Sequence, residues 1–497
     1  MKQKLFIIQR VGVFLLFSNL IVNLNADNKK CDQSHSFFVS RQITTNSVFG
    51  LSLNSYQWYH EREQDDSFHF GFYATPFFQQ SAQSQKLARY FLRDTKECLR
   101  FSEVNEDPCD ICSLWFGLES DVNSNFNATF SINPHRRAYG SYFNLLLSKG
   151  WGGHQLWWNV AFTAMRVKYE LRMCETVQEL AGPLSNFEEG TIDQFTSVIA
   201  ALNNSEWCFG KFSKCSLNRS GVDDIEVKLG YDWYYAPEKN NHLSPYLVAT
   251  IPTGKRQRSE FIFEPLVGSK NGSVGLGLNF DYTFYSCGQQ SMTWLFDMKY
   301  RYVFGADQCR SFDLCKNGDW SRYLLVVPQD QTLSTQPGIN LFSLEAKVTP
   351  RSTIDIWTSL HWQWDSFNLE VGYDFWWRQK EKICLKKKIA SGFGIFDLAG
   401  ASGVPTSAST ANISQCATGS NQAQSDASFV TLASSDLDID SAAHPAALSS
   451  TLYGAFSWEP TPGGYPLMLG FGGQYEFAHR IAALEQWAFW GKLGIVF

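Results

Sequence analysis

Side chains that alternate apolar and polar over ten to thirteen residues recur in this chain, and they constrain its fold more than any other feature. Ile225, Val227, Leu229, Tyr231, Trp233 and Tyr235 stand against Glu226, Lys228, Gly230, Asp232 and Tyr234. Val274–Tyr285 sets Leu276, Leu278, Phe280, Tyr282 and Phe284 against Asn279, Asp281 and Thr283. Met292–Phe304 sets Trp294, Phe296, Met298, Tyr300 and Tyr302 against Asp297, Lys299 and Arg301, and Phe367–Trp377 sets Leu369, Val371, Tyr373 and Phe375 against Glu370, Asp374 and Arg378. A period of two is the mark of a strand with unlike faces. Past residue 26 no uncharged apolar run is long enough for a transmembrane helix, which needs about 20 residues.

Two environments produce such strands. A β-sandwich buries the apolar faces against one another, whereas a membrane barrel turns them to lipid and closes its backbone hydrogen bonds into a ring. Length favours the barrel, since globular strands average about 5–6 residues and membrane strands need about 9–11. The aromatics also gather at strand ends, as at headgroup level; the candidate girdle is Trp233, Tyr235, Trp362, Trp364, Trp376, Trp377 and Trp487. Aromatics make up 15% of the chain and charged residues only 18%, below the ~25% of soluble domains. Mean hydropathy is nevertheless −0.23, as expected where only alternate residues meet lipid. A net charge of −6 gives no reason to expect a nucleic-acid partner.

The two ends carry export signals. Lys2 and Lys4 precede an apolar core, Val11–Val22, and Leu24-Asn25-Ala26 offers a small residue for cleavage, so residues 1–26 read as a signal peptide and 27–497 as one barrel domain. At the other end Trp487, Phe489, Leu493, Ile495 and Phe497 alternate to the last residue. That ending resembles the terminal β-signal of Gram-negative outer-membrane β-barrel proteins, and the chain as a whole looks porin-like, without a motif for one porin family. The resemblance implies an all-β, up-and-down antiparallel transmembrane barrel in contact with outer-membrane lipid. It also implies assembly by the barrel-assembly machinery through the C-terminal strand with Phe497 as its signal, and a possible homo-oligomer. The strand candidates number 12 to 16, and 14 is the expected count.

Long segments without alternation, about 76–112, 171–222, 305–338 and 380–449, read as loops. The first holds a helix-like piece, Gln79–Leu92, and the second a helix, Thr191–Leu202, with Thr191 as N-cap. Ala399–Ser450 is too poor in large apolar groups to bury a core of its own and reads as a loop of low order. Weak alternation marks Ser113–Glu119, Phe126–Ile132 and Asn340–Thr349 as strands. Long loops share one side of a barrel, and these strands put 380–449 opposite the others, so at least one strand is missed or wrongly split; Tyr323–Val327 is the suspect. Twelve cysteines, all beyond residue 26 and outside or bordering the strands, point to loop disulfides rather than a metal site at Cys109-x-x-Cys112.

The inward face carries Glu226, Lys228, Asp232, Asp281, Asp297, Lys299, Arg301, Glu370, Asp374, Arg378, Glu476 and Lys492, with Glu345 and Lys347 beside them, as candidates to line a pore. Mixed charge there suits a wetted channel or a salt-bridged plugged barrel. Pro252–Ser273, with Lys255, Arg256, Arg258, Phe261, Phe263 and Leu266, is a candidate constriction. No G-x-S-x-G, H-E-x-x-H or P-loop is present. His361 and Asp365, four apart, are the one candidate proton-transfer pair, and aromatic-belt His with a turn Asp is the plainer reading. The expected function is passive diffusion of small hydrophilic solutes without catalysis, cofactor or metal. A surface-display barrel whose loops contact host or partner proteins is the second reading, and an outer-membrane hydrolase the third.

Overall fold

The computed structural model describes residues 34–53, 68–105, 107–120, 125–151, 154–179, 192–236, 241–330, 335–400, 406–460 and 467–496. The wall strands are β1 (Phe68–Ser81), β2 (His135–Trp151), β3 (His154–Glu170), β4, β5 (Asn241–Ile251), β6 (Ser273–Cys287), β7 (Gln290–Val303), β8 (Arg351–Trp364), β9 (Phe367–Arg378), β10 (Ala447–Trp458), β11 (Leu467–Ala478) and β12 (Gln486–Val496). The fourth is one strand in three pieces, Leu217–Val222, Ile225–Tyr231 and Tyr234–Ala236, interrupted at Asp223–Asp224. Each strand pairs antiparallel with the next, and β12 pairs β1 with Gly71 opposite Val496, so the sheet closes on itself as a 12-strand barrel.

The closed wall is apolar outside and polar inside. Leu276, Leu360, Val371, Phe471 and Phe489 stand 58–64% exposed on the outer face, while Asp297, Lys299, Asp355 and Glu370 behind them are at most 1% exposed. Water does not tolerate so much contiguous oily surface; hydrocarbon does. The protein is a transmembrane β-barrel.

All long connections leave one end of the wall: 82–134, 171–216, 252–272, 304–350 and 379–446. The opposite end is turned by short segments, among them Gly288–Gln289 and Asp365–Ser366. This resolves the strand bookkeeping. The missed strand is β5, because Pro245 interrupts its pattern, although Pro245 sits within the ladder opposite Leu278. Tyr323–Val327 supplies only Leu325–Pro328, a short strand among the loops. Asn340–Thr349 is not wall either: Ser343–Thr349 pairs with Ala306–Ser311 and Lys382–Leu385 in a loop sheet, so Glu345 and Lys347 leave the lumen set. Ser113–Phe116 is a 3-10 turn, and Asn127–Ile132 joins a loop sheet with Cys98–Ser102 and Met173–Glu179. The count is therefore 12 rather than 14.

Helices in the loops are shorter than their patterns. β1 runs on to Ser81 before a helix at Ser84–Phe91. The second helix is Val198–Leu202, capped by Ser197 accepting from Ala200 N, and Thr191 lies outside the described residues. The described part of the Ser/Ala-rich segment, 406–450, packs against the other loops, with Ala408, Ala411, Ile413, Cys416 and Leu437 buried. The described residues contain one disulfide, Cys112–Cys416, which ties 82–134 to 379–446; nine other cysteines are free thiols.

Candidate functional site

A barrel of eight strands is filled by its own side chains, and sixteen leave a channel. Twelve strands lie between, and here the chain fills the difference with its own residues 34–53. This segment begins among the loops, where Ser34 N donates to Asp319 Oδ2 (3.2 Å) and Arg322 Nη2 donates to Ser34 O (2.9 Å). It descends inside the wall and turns once as a helix, Ser47–Leu51, capped by Asn46 and buried at every residue. Leu53, near the short-turn end, donates its N–H to Glu370 Oε2 (2.8 Å).

The wall holds this segment through charge. Arg41 Nη1 donates to Asp374 Oδ2 and Nη2 to Asp355 Oδ2, both at 2.5 Å, in a setting where guanidinium and carboxylates are all at most 3% exposed. Ser47 Oγ donates to the same Asp355. Lys299 Nζ donates to Thr45 O (3.0 Å), and Lys492 Nζ donates to Phe49 O (3.2 Å) and Ser52 O (2.5 Å). At the β4 interruption Thr44 N donates to Asp223 Oδ2 (3.1 Å) and Gln42 Nε2 to Asp224 Oδ2 (2.7 Å). Charged hydrogen bonds in so dry a setting are the strong kind.

All twelve lumen candidates are buried, from 0% at Glu370 and Asp374 to 6% at Arg378. Glu370, Asp374, Lys299 and Lys492 reach the internal segment. The others bond within the wall, except Arg378, which reaches a loop. Glu226 is shared by Lys228, Lys299 and Arg301 at 3.3–3.5 Å. Asp297 accepts from Tyr246 and Asn279, Asp281 meets His242, and Glu476 accepts from Ser449 and Gln486. Asp232 N donates to Gln155 O, and Arg378 meets His444. Arg41, Asp355 and Asp223 were not among the candidates. Asp355 was findable, as the lone carboxylate between Ile354 and Ile356 in an alternating run, whereas nothing local in the sequence marks Arg41.

Of the girdle set, Trp362 and Trp364 are exposed and stacked at 6.4 Å, Trp233 is 74% exposed, and Trp377 and Trp487 are half-buried on the outer face. Trp376 is not a girdle residue: it shares the parity of Asp374 and Arg378, points inward and is 5% exposed under the Arg41 guanidinium. The Tyr235 side chain and Phe497 lie outside the described residues. His361 is a lumen group, its Nε2 against Asn368 Oδ1 (3.0 Å) and Nδ1 near Glu370 (3.5 Å), while Asp365 is exposed in a turn with φ +52°.

Segment 252–272 roofs the lumen at the loop end. Its Phe263 stacks on Tyr169 (4.2 Å) and meets Phe38, while Lys255, Arg256 and Arg258 face solvent rather than constrict a pore. Gly254 and Gly268 pass so closely that a Cβ on one would sit 2.4 Å from the other, and both frame Asp224, which accepts from Gly254 N (2.8 Å). Beneath the loops the His35 ring packs tilted against Tyr90, centroids 4.7 Å apart. Burial, then the Arg322 charge, pushes the His35 pKa down to about 3, and burial with Arg378 holds His444 well down too. Among the described residues no group of three or more His, Cys, Asp or Glu is placed to hold a metal ion.

The chain matches no protein-family model and no curated protein. Solved structures similar to it include a COG4313 outer membrane channel from Pseudomonas putida F1 (10% identity over 88% of this chain and 98% of that one, TM-score 0.37). The translocator domain of autotransporter NalP from Neisseria meningitidis (6% identity, 91% and 95%, TM-score 0.25) and a Pseudomonas aeruginosa FadL homologue (6%, 86% and 89%, TM-score 0.27) are others. With its closed wall, oily exterior and short turns opposite long loops, the chain has the architecture of an outer-membrane β-barrel.

Proposed function

We propose that this protein is exported by residues 1–26, inserted in a Gram-negative outer membrane through its C-terminal strand by the barrel-assembly machinery, and serves as a gated channel. Small hydrophilic solutes diffuse through it when residues 34–53 leave the lumen, and no covalent chemistry is assigned to it. The observation that carries this reading is the way the wall grips the segment: Arg41 between Asp355 and Asp374, and Lys299 and Lys492 on its carbonyls, all side chains that water can satisfy once the segment moves. A permanent filling is more economically made of apolar side chains, since ion pairs of this depth are rarely stabilising relative to them.

Planar-bilayer recording tests it. Wild-type protein is expected to conduct rarely. Arg41→Ala strands two buried carboxylates, a change worth about 3–5 kcal/mol against the closed state, and is expected to open frequently with steps well above leak. Absence of flux in both removes the channel reading. The second reading, a display barrel, would then stand on the ordered loop cap, in which Trp115, Phe212, Trp320 and Tyr323 are buried away from the membrane.

A further inference from the structure

Between the internal segment and the wall, at the loop end, lies a small cleft of about 80 Å³, partly open to solvent. Its lining holds four guanidiniums, Arg41, Arg301, Arg310 and Arg378, against a single carboxylate, Glu381. The carboxylates behind the lining are already engaged: Asp355 and Asp374 take Arg41, and Glu226 is divided among Arg301 and two lysines.

Donor capacity is left over in the lining. Arg310 is 1% exposed, and its Nη1 and Nε have no hydrogen-bond partner among the described residues; the same holds for Arg301 Nε. Gln257, 7% exposed, has neither amide atom bonded. Buried polar groups without partners are costly, and here they gather around one cleft of one charge sign. The remaining lining is mixed, with Phe37, Val39, Leu266, Val303, Pro350 and Trp376 set among hydroxyl and amide side chains. Phe37 lies flat under Arg310 at 3.1 Å, and Trp376 lies under both Arg41 and Arg378 at 5.6–5.9 Å.

We infer that this cleft binds a small carboxylate carried on an apolar body: the carboxylate is met by Arg301, Arg310 and the Gln257 amide, and the body lies along Phe37 and Trp376. A planar guanidinium fork matches a carboxylate with two parallel hydrogen bonds. The inference rests on the channel reading and names the solute class that the loop-side mouth selects.

Benzoate and benzamide share shape and differ in charge, so they separate this site from a merely greasy one. Calorimetric titration of the detergent-solubilised full chain is expected to show saturable benzoate binding and benzamide binding at least about tenfold weaker, the loss of one charge-assisted hydrogen bond. Arg301→Met is expected to weaken benzoate by a similar factor. Gln257→Leu, which disturbs no hydrogen bond of the described fold, is expected to weaken it severalfold and serves if Arg301→Met does not fold. No benzoate binding, equal affinity for benzamide, or affinity unchanged in a folded variant overturns the inference. The titration needs no flux: benzoate binding by a protein that never conducts overturns the channel and keeps the cleft, whereas conducting channels that ignore benzoate do the reverse.

Discussion

Arg41 pins the internal segment to two wall strands at once, reaching Asp355 on β8 and Asp374 on β9. His35, six residues earlier, anchors the same segment by being neutral. Its proton is taken up only near pH 3 in the folded cap, while an open cap takes it up near the ordinary 6.5. The stability it contributes is therefore present above about 6.5 and lost as pH falls toward 3. Asp319, raised to about 6 by burial and then by Asp313, works the other way between its ordinary 3.8 and 6, so its protonation favours the fold at low pH. The His35 share is isolated by comparing wild type with His35→Phe, which keeps the ring on Tyr90. The protection of residues 34–38 against hydrogen exchange, taken relative to the intrinsic rate at each pH, is expected to fall from pH 7 to pH 4 more in wild type than in the variant. Equal pH responses would remove His35 from the account.

At the scale of strands, the wall is keyed by glycines facing rings. Gly230, Gly277, Gly372, Gly472 and Gly494 stand opposite Trp157, Tyr246, Tyr453, Trp490 and Tyr73 on the adjacent strands. In each, an added Cβ would lie 2.0–2.5 Å from a ring atom. This explains why Val227–Tyr235 and Leu369–Trp377 nearly coincide in sequence: each must cradle a neighbour's ring at its Gly and turn a carboxylate inward two residues later. Gly372→Ala is expected to destabilise the barrel by about 1–3 kcal/mol through overpacking, lowering the temperature at which its gel mobility shifts. Gly454→Ala, where the nearest atom is 4.0 Å away on the lipid face, is expected to be neutral. Alternation made most wall strands and their inward parity legible. Trp376 obeys its inward parity rather than its strand-end position, and Pro245 masks β5 in the pattern. Loop strands such as Ser343–Thr349 alternate too, since any sheet with one covered face does so, and the pattern does not say what covers it.

For the whole molecule, barrel and loop cap are separable layers pinned by different bonds. Cys112–Cys416 links two loops 304 residues apart in sequence, and neither cysteine lies in a wall strand. Cys112→Ser is expected to cost the cap about 2–4 kcal/mol and to admit protease at 82–134 and 379–446, while the heat-resistant mobility of the barrel persists. Loss of both together would mean that cap and wall unfold as one. The fold class and twelve lumen charges are legible in the sequence, Asp355 and Asp223 not among them; that an internal segment answers those charges is not, because its partners lie some 180 to 440 residues away with no local pattern between them.

If residues 34–53 leave the lumen as proposed, their departure is an exchange reaction. Each carboxylate or ammonium that releases a peptide group gains a hydration shell, so the polar half of the departure is close to balanced. The resisting half is Phe38, Ile43, Val48, Phe49, Leu51 and Leu53, which are at most 2% exposed and worth roughly 1.5–3 kcal/mol apiece. Six greasy side chains would thus set the energy scale of such a departure, and trimming one of them is expected to change how often it happens without touching a single charge.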